Sequence, residues 1–323
     1  MSESPIDDFF GAARPVVPET PAGFRSGFVS LLGRPNTGKS TLLNALVGTK
    51  VAIVADKPQT TRTSIQAVLT VPGEAQVVFL DTPGIHKTDS PLNKRMMDAV
   101  RTALDQRDLL LFLADASRRF GVEDRQALDL MRKAETPTIL VVNKIDLVPK
   151  GEILLLIDQY RELYDFVDYV PVSALKRDGL DVLRKEIVAR LPEGPAYFPA
   201  DHITDQPERF LAGELIREKI VRETREEVPH SVTVMVDSWE ELPRLLRIFA
   251  TVYVERDGQK AIVIGKHGSM MKRVGTLARE EMEALFGRKV FLDLRVKVQP
   301  NWREKPAFLD TLDWRTMAGK DES

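Results

Sequence analysis

Two glycines, at positions 33 and 38, lead into a lysine and a serine in the run Gly33-Arg34-Pro35-Asn36-Thr37-Gly38-Lys39-Ser40. An apolar stretch, Phe28 to Leu32, precedes this G-x-x-x-x-G-K-[ST] pattern, and a helix-like stretch, Thr41 to Val47, follows it. Glycines let successive main-chain N–H groups turn inward around an anion, and the start of the helix beyond adds partial positive charge. Gly33, Asn36, Thr37, Gly38 and Thr41 are therefore predicted to line a polyphosphate. Lys39 would reach its β- and γ-phosphates, and the Ser40 hydroxyl would bind a magnesium ion bridging them.

Three further clusters have matching chemistry. Asp81-Thr82-Pro83-Gly84 follows the apolar run Gln76 to Leu80, and open α/β sheets place ligand chemistry at the carboxyl ends of such strands. Asp81 can hold magnesium through its water, and the Gly84 amide can approach a terminal phosphate because no Cβ intervenes. Thr138 to Val142 ends in Asn143-Lys144-Ile145-Asp146. A carboxylate at Asp146 can accept from both N1–H and the 2-amino group of guanine, a pattern adenine lacks, so the wrong base would leave it unpaired. The Asn143 amide either contacts guanine O6/N7 or braces the loop, and the aliphatic stem of Lys144 covers the base. Ser173-Ala174-Leu175, after Asp168 to Val172, offers a main-chain N–H to guanine O6. His86 reads as a solvated loop histidine rather than a general base.

The fourth cluster lies far down the chain, at Gly265-Lys266-His267-Gly268, with Lys272 and Arg273 after it. A G-x-x-G turn with no bulky Cβ at either end admits a sugar-phosphate backbone, and the basic residues supply charge. From Lys260 to Lys305 there are 11 Lys/Arg against 5 Asp/Glu, although the formal net charge of the whole chain is only -2. That local excess points to an anionic partner for this region alone.

These clusters need two kinds of scaffold. Apolar strand-like runs at 28–32, 64–70, 76–80, 109–115, 138–142 and 168–172, with helices at 41–47, 93–104 and 123–134, predict an α/β P-loop domain. The Pro72-Gly73 turn makes two of its strands antiparallel, so the sheet is mixed but mostly parallel. Prolines from Pro192 to Pro199 mark a linker. Beyond it, the pattern predicts a helix over 208–227 and strands at 231–236 and 246–254. A turn at Asp257-Gly258, two helices and a strand at 290–298 complete the α+β order of a type II KH domain. The expected organisation is a disordered tail over 1–25, a GTPase (G) domain over 26–191, a linker over 192–206, a KH type II RNA-binding domain over 207–303 and a C-terminal tail over 304–323. A chain of 323 residues suits two cores. Absence of cysteine removes disulfides and thiolate metal sites and fits a reducing interior. No apolar run approaches the roughly 18 residues of a membrane span, so a soluble cytoplasmic protein is expected.

From Gly27 to Leu191 the ordered motifs resemble GTPases of the Era/TrmE kind. Together with Gly268-Ser269-Met270-Met271-Lys272-Arg273-Val274-Gly275 and Gly287 to Leu292, the likeness to the Era GTPase family extends to Trp302. The resemblance implies GTP hydrolysis to GDP and phosphate, with Lys39, Thr61 and Gly84 as the catalytic set. It implies Mg2+ on Ser40, Thr61 and Asp81, Thr61 joining only in the GTP state, with Thr60 as its rival. Asn36 corresponds to an asparagine with which some relatives hold K+, a loop-stabilising amide being the alternative. Ile85 stands where Ras-like proteins carry the water-positioning glutamine, which implies slow turnover and a different means of placing water. Family likeness further implies a monomer that binds 16S rRNA near its 3′ end and acts in maturation of the 30S ribosomal subunit. Relatives are also placed peripherally on the cytoplasmic face of the inner membrane. An ATPase is opposed by Asp146; a signalling GTPase whose KH-like half binds protein is the other rival.

Overall fold

The structure, a computed structural model, describes residues 20–57, 60–84, 90–105, 107–225 and 228–314. Most of the expected leader, and Ile85 and His86, lie outside the described residues. The expected C-terminal tail is described only as far as 314.

In the N-terminal half, β1 (Arg25–Leu32), α1 (Lys39–Val47), β2 (Ile65–Val71), β3 (Ala75–Asp81), α2 (Pro91–Leu104), β4 (Leu109–Asp115), α3 (Val122–Met131), β5 (Thr138–Asn143), α4 (Lys150–Arg161), β6 (Asp168–Pro171) and α5 (Leu180–Arg190) follow in order. The strands form one sheet in the order β2-β3-β1-β4-β5-β6. Only β2 runs antiparallel, joined to β3 through the turn that pairs Val71 with Ala75. All residues of β4 and β5 are buried, because helices cover both faces. One face packs Leu42, Leu43, Leu183 and Ile187 against Leu31 and Leu111. The other packs Val100, Leu128 and Tyr160 against Phe112 and Leu140. Parallel strands of this kind end on one edge, so Asp81, Asp115 and Asn143 arrive at the same side of the sheet as the loop after β1.

Two helices, α4 and α5, were not legible in the sequence. In α4 the apolar residues Ile153 to Ile157 are contiguous, and Leu154 and Leu155 are exposed, so helical periodicity is lost among them. The expected linker lies along the free edge of β2, where the Val68 amide donates to the Ile203 carbonyl at 2.7 Å and the Thr204 hydroxyl to that of Gln66 at 2.7 Å. That pairing covers an otherwise open strand edge.

The C-terminal half runs α6 (Glu208–Glu223), α7 (Val228–Ser231), β7 (Thr233–Leu242), β8 (Leu245–Val254), α8 (Asp257–Ile264), α9 (Ser269–Phe286), β9 (Lys289–Val298) and α10 (Pro306–Leu312). Its sheet is β7-β8-β9, with β7/β8 antiparallel and β8/β9 parallel. Leu215 and Ile216 of α6 and Val274, Ala278 and Met282 of α9 bury against Ile248 and Val252. Asp257-Gly258, expected as a turn, is the first turn of α8. The Gln259 side chain explains the difference, since it accepts from the Glu255 and Arg256 amides at 2.9 and 3.1 Å and starts the helix. Part of the segment after 304 returns to the fold: Leu309 of α10 packs with Trp302 and with Leu92 and Met96 of α2. Among the described residues no helix is long and apolar enough to cross a membrane.

Candidate functional site

Between β1 and α1 the chain makes the tight loop that the glycine spacing requires. Gly38 has φ +95, and a Cβ there would sit 2.3 Å from the Asn143 amide nitrogen, so only glycine fits. The Lys39 ammonium curls back onto its own loop, donating to the Gly33 and Arg34 carbonyls at 3.1 Å each. Burial lowers its pKa to about 8; the Asp81 charge opposes the shift and the Arg34 charge adds to it. Burial likewise pushes the Asp81 carboxyl up, against the pull of Lys39.

The Ser40 hydroxyl donates to Asp81 Oδ2 at 2.6 Å and lies 2.8 Å from the Thr61 hydroxyl, which is itself 3.4 Å from the same carboxylate oxygen. Thr60, the rival, turns away and donates to the Lys57 carbonyl at 2.6 Å. Thr82 donates to the Leu31 carbonyl at 2.7 Å and is fully buried with Pro83, so these two shape the turn rather than face the cleft. Gly84 lines the cleft together with Asn36, Ser40 and Thr61, close against Pro35. Asp81 Oδ1 is buried and has no partner among the described residues. An unpaired carboxylate oxygen beside two hydroxyls is a donor set of the hard-oxygen kind that magnesium takes.

At the adjacent strand ends, the Asn143 side chain ties loops together. It donates to the Thr37 carbonyl at 2.8 Å and accepts from the Ala174 amide at 3.0 Å. Of its two expected roles, bracing is the one it performs here. Lys144, at φ +66, donates to the Asn36 carbonyl and to Asp115, both at 2.8 Å. Asp146 is exposed, and the Ser173 hydroxyl donates to it at 2.6 Å. Of the main-chain N–H groups of Ser173-Ala174-Leu175 expected at guanine O6, those of Ser173 and Ala174 have partners within the protein. The Ser173 amide donates to the Asp178 carbonyl, and that of Ala174 to Asn143. Ser173 acts instead through its hydroxyl, fixing the Asp146 carboxylate.

Several positioning residues escaped the sequence reading. Arg34, in the phosphate loop, is buried against Asp115 at 3.5 Å and Asp124 at 3.1 Å. Asp115 carried a signal: like Asp81, it is a carboxylate closing an apolar strand. Arg62 and Arg217 carried none, since their roles depend on contacts between the two halves. Arg217, buried on α6, donates to the Thr60 carbonyl, and Arg62 donates to the Val232 carbonyl at 2.8 Å. Glu218 receives Lys50, Lys219 and the Val54 amide.

In the C-terminal half, Gly265 (φ +73) joins α8 to α9, and a Cβ there would lie 2.7 Å from Met270 Cβ. Lys266, His267 and Lys272 are exposed around it, with Gly268 closing the corner. Arg273 is exposed as well, but pairs with Glu223 at 3.1 Å.

Comparison with known proteins extends this geometry. A family model described as a 50S ribosome-binding GTPase matches residues 28–144, and a KH domain model matches residues 227–303. GTPase Era of Geobacter metallireducens is 50% identical over 293 residues, covering 90% of this chain and 98% of that protein. The chain belongs to the Era family of GTPases. GTPase Era of Ruminiclostridium cellulolyticum is 45% identical over 294 residues, covering 91% of this chain and 98% of that protein. Two solved Era structures superpose with a TM-score of 0.87 each, covering 90% of this chain and 99% of theirs. One is an Aquifex aeolicus Era variant bound to GDP.AlF4-, at 41% identity. The other is Era with MgGDPNP and nucleotides 1506-1542 of 16S ribosomal RNA, at 40% identity. Family membership accounts for the pairing of a P-loop GTPase fold with a KH fold in one chain.

Proposed function

We propose that this Era-family chain binds GTP with Mg2+, hydrolyses it to GDP and phosphate, and holds single-stranded 16S rRNA near its 3′ end during 30S subunit maturation in the cytoplasm. We read 26–191 as the GTPase half, 192–206 as its connector and 207–303 as the RNA-binding half. The observation that carries the reading is the convergence of Ser40, Thr61 and Asp81, with Asp81 Oδ1 buried and unpaired. The bound Era relatives, one with a nucleotide and 16S rRNA together, support it.

Magnesium held by Ser40, Thr61 and Asp81 would neutralise charge on the β- and γ-phosphate oxygens. Lys39 exchanges its two loop carbonyls for phosphate oxygens, which restores the compensation it lacks when buried. The Gly84 N–H approaches the terminal phosphate, while Asp146, oriented by Ser173, accepts from guanine. Asn143 and Lys144 hold the base loop to the phosphate loop, so both ends of the nucleotide are read by one rigid unit. Lys266, Lys272 and the Gly265 to Gly268 corner take the RNA backbone.

The deciding experiment measures GTP hydrolysis by the purified chain alongside crosslinking to total cellular RNA. Hydrolysis that Lys39→Ala abolishes, with crosslinks concentrated at the 3′ end of 16S rRNA, is the expected result. Hydrolysis indifferent to Lys39, or crosslinks spread without preference, would overturn the proposal.

A further inference from the structure

Of the three residues assigned to magnesium, Ser40 stands on α1 and Asp81 closes β3, but Thr61 lies in the loop between α1 and β2. A side chain on a loop keeps a fixed place only if its neighbours are tied down. Both neighbours are, and by the C-terminal half.

Thr60 is held through its carbonyl, which accepts from Arg217 of α6. Arg62 is held through its guanidinium at the end of α7. Its Nη1 donates to the Val232 carbonyl at 2.8 Å, and its Nη2 to those of His230 at 3.2 Å and Pro229 at 3.4 Å. The carbonyl left between them, that of Ser231, accepts from Trp302 Nε1 at 2.8 Å. The last carbonyls of a helix lack partners within it and form its negative end. Here Arg62 and Trp302 together take up every one from Pro229 to Val232. The guanidinium also lies over the ring of the fully buried Trp302, 5.4 Å from its centroid. A planar fork on an aromatic face has little freedom left, so the loop is pinned at this residue. Between the two anchors, the Thr61 hydroxyl is delivered to Ser40 at 2.8 Å and to Asp81 at 3.4 Å.

We propose that Arg62 is a positioning residue for magnesium: by anchoring the loop to α7 and Trp302, it holds the Thr61 hydroxyl where the ion of a bound triphosphate is met. The C-terminal half thereby sets the magnesium affinity of a cleft that lies in the N-terminal half. A ligand held in place by folding raises affinity, because the entropy of ordering its loop is not charged to binding. The inference rests on the reading of Ser40, Thr61 and Asp81 given above. It adds to that reading a residue that acts on the ion only through Thr61.

The test measures binding of fluorescent mant-GDP and mant-GMPPNP, a non-hydrolysable GTP analogue, to the full chain across a range of Mg2+ concentrations. Arg62→Met should raise the Mg2+ needed for half-maximal tightening of the analogue about tenfold, and that for GDP, which has no γ-phosphate, by less than about twofold. Thr61→Ala should behave alike. Adding Arg62→Met to Thr61→Ala should change little further, because residues that act through one contact are not additive. Arg62→Lys keeps the charge without the fork and should shift the analogue in the same direction by a smaller factor; it carries the test if circular dichroism shows Arg62→Met unfolded. The parent's Mg2+ dependence in both Arg62 variants, equal shifts for the two nucleotides, or full additivity with Thr61→Ala would each overturn the inference and leave the reading of the cleft standing. Nucleotide binding indifferent to Mg2+ in the parent chain would overturn both.

Discussion

The Arg217 guanidinium on α6 donates to the main-chain carbonyl of Thr60, the residue immediately before Thr61. A helix of the C-terminal half thereby grips the loop whose next side chain meets Ser40 and Asp81. If departure of a terminal phosphate moves Thr61, that movement is felt by α6, and any effect of nucleotide on RNA affinity has an equal effect in return. Arg217→Met keeps the bulk of the stem and removes the bond. RNA affinity should differ between GDP and a non-hydrolysable GTP analogue in the parent chain and become the same, within about twofold, in the variant. A parent chain with equal RNA affinity in both states would remove the coupling altogether.

In the function proposed above, base choice rests on one exposed carboxylate, Asp146, held by the Ser173 hydroxyl. Asp146→Asn exchanges an acceptor for a donor on the face that meets the base. GTP affinity should fall by two orders of magnitude or so, and xanthosine triphosphate, which has a carbonyl where guanine has its amino group, should bind better than GTP. Competition binding on the folded variant reads this directly. Ser173→Ala, which only loosens the carboxylate, should cost about tenfold and leave the preference for GTP in place.

What could be read in the sequence was the part governed by local rules. The phosphate loop announces itself because its glycines, lysine and serine sit at fixed spacing between a strand and a helix. Asp81 follows because it closes an apolar strand of a mostly parallel sheet, and Asp146 because it stands in the loop just beyond the end of another, such ends lying on one side. Periodicity failed for α4, where contiguous leucines blur the buried face, and Gln259 converted an apparent Asp257-Gly258 turn into a helix start. Arg62, Arg217 and Glu218 lay beyond reach for a different reason. The contacts that matter for each reach across to the other half of the chain, and nothing in the neighbouring sequence records them.

Asp115 should make stability depend on acid. Burial alone would raise its carboxyl pKa, but hydrogen bonds from Lys144 and Ser117 more than offset this and hold it below the ordinary value of 3.8. A carboxylate with a depressed folded pKa stabilises the fold above its unfolded pKa, and that contribution fades as pH falls through the folded value. Its side chain is 1% exposed, so Asp115→Asn leaves Lys144 without its carboxylate and Arg34 with Asp124 alone. Urea unfolding at pH 7 should show a loss of about 3–5 kcal/mol. The gap between variant and parent should shrink below pH 4; a gap independent of pH would contradict the assignment.

Glu218 ties the two halves together. Its fully buried carboxylate takes Lys50 at 2.7 Å, Lys219 at 2.8 Å, Arg222 at 3.1 Å and the Val54 amide at 2.8 Å. Glu218→Ala leaves Lys50 and Lys219 to share Glu281 alone. Removing one member of such a buried set costs about 3–5 kcal/mol. Exchange of the Val54 amide hydrogen, which loses its acceptor, should quicken by at least about tenfold, whereas amides in β4 should change only as far as global stability does. Uniform acceleration across both halves would instead mean general unfolding.

RNA binding should divide cleanly between the corner and the helix behind it. Gly265 holds a conformation that a side chain strains, and the space its Cβ would need is filled by Met270. Gly265→Asp therefore shifts the corner and adds a negative charge where phosphates approach. Combined with Lys266→Asp, it should abolish single-stranded RNA binding, with GTP hydrolysis measured without RNA unchanged. Lys272→Ala removes charge alone, so affinity should fall by a similar factor for every sequence, and the dependence of log affinity on log salt should lessen by about 0.7, one phosphate contact on a single strand. Arg273 is paired with Glu223, so Arg273→Ala should change the slope by less than Lys272→Ala does. If the double variant at the corner still binds RNA with the parent's salt dependence, the RNA surface lies elsewhere on the molecule.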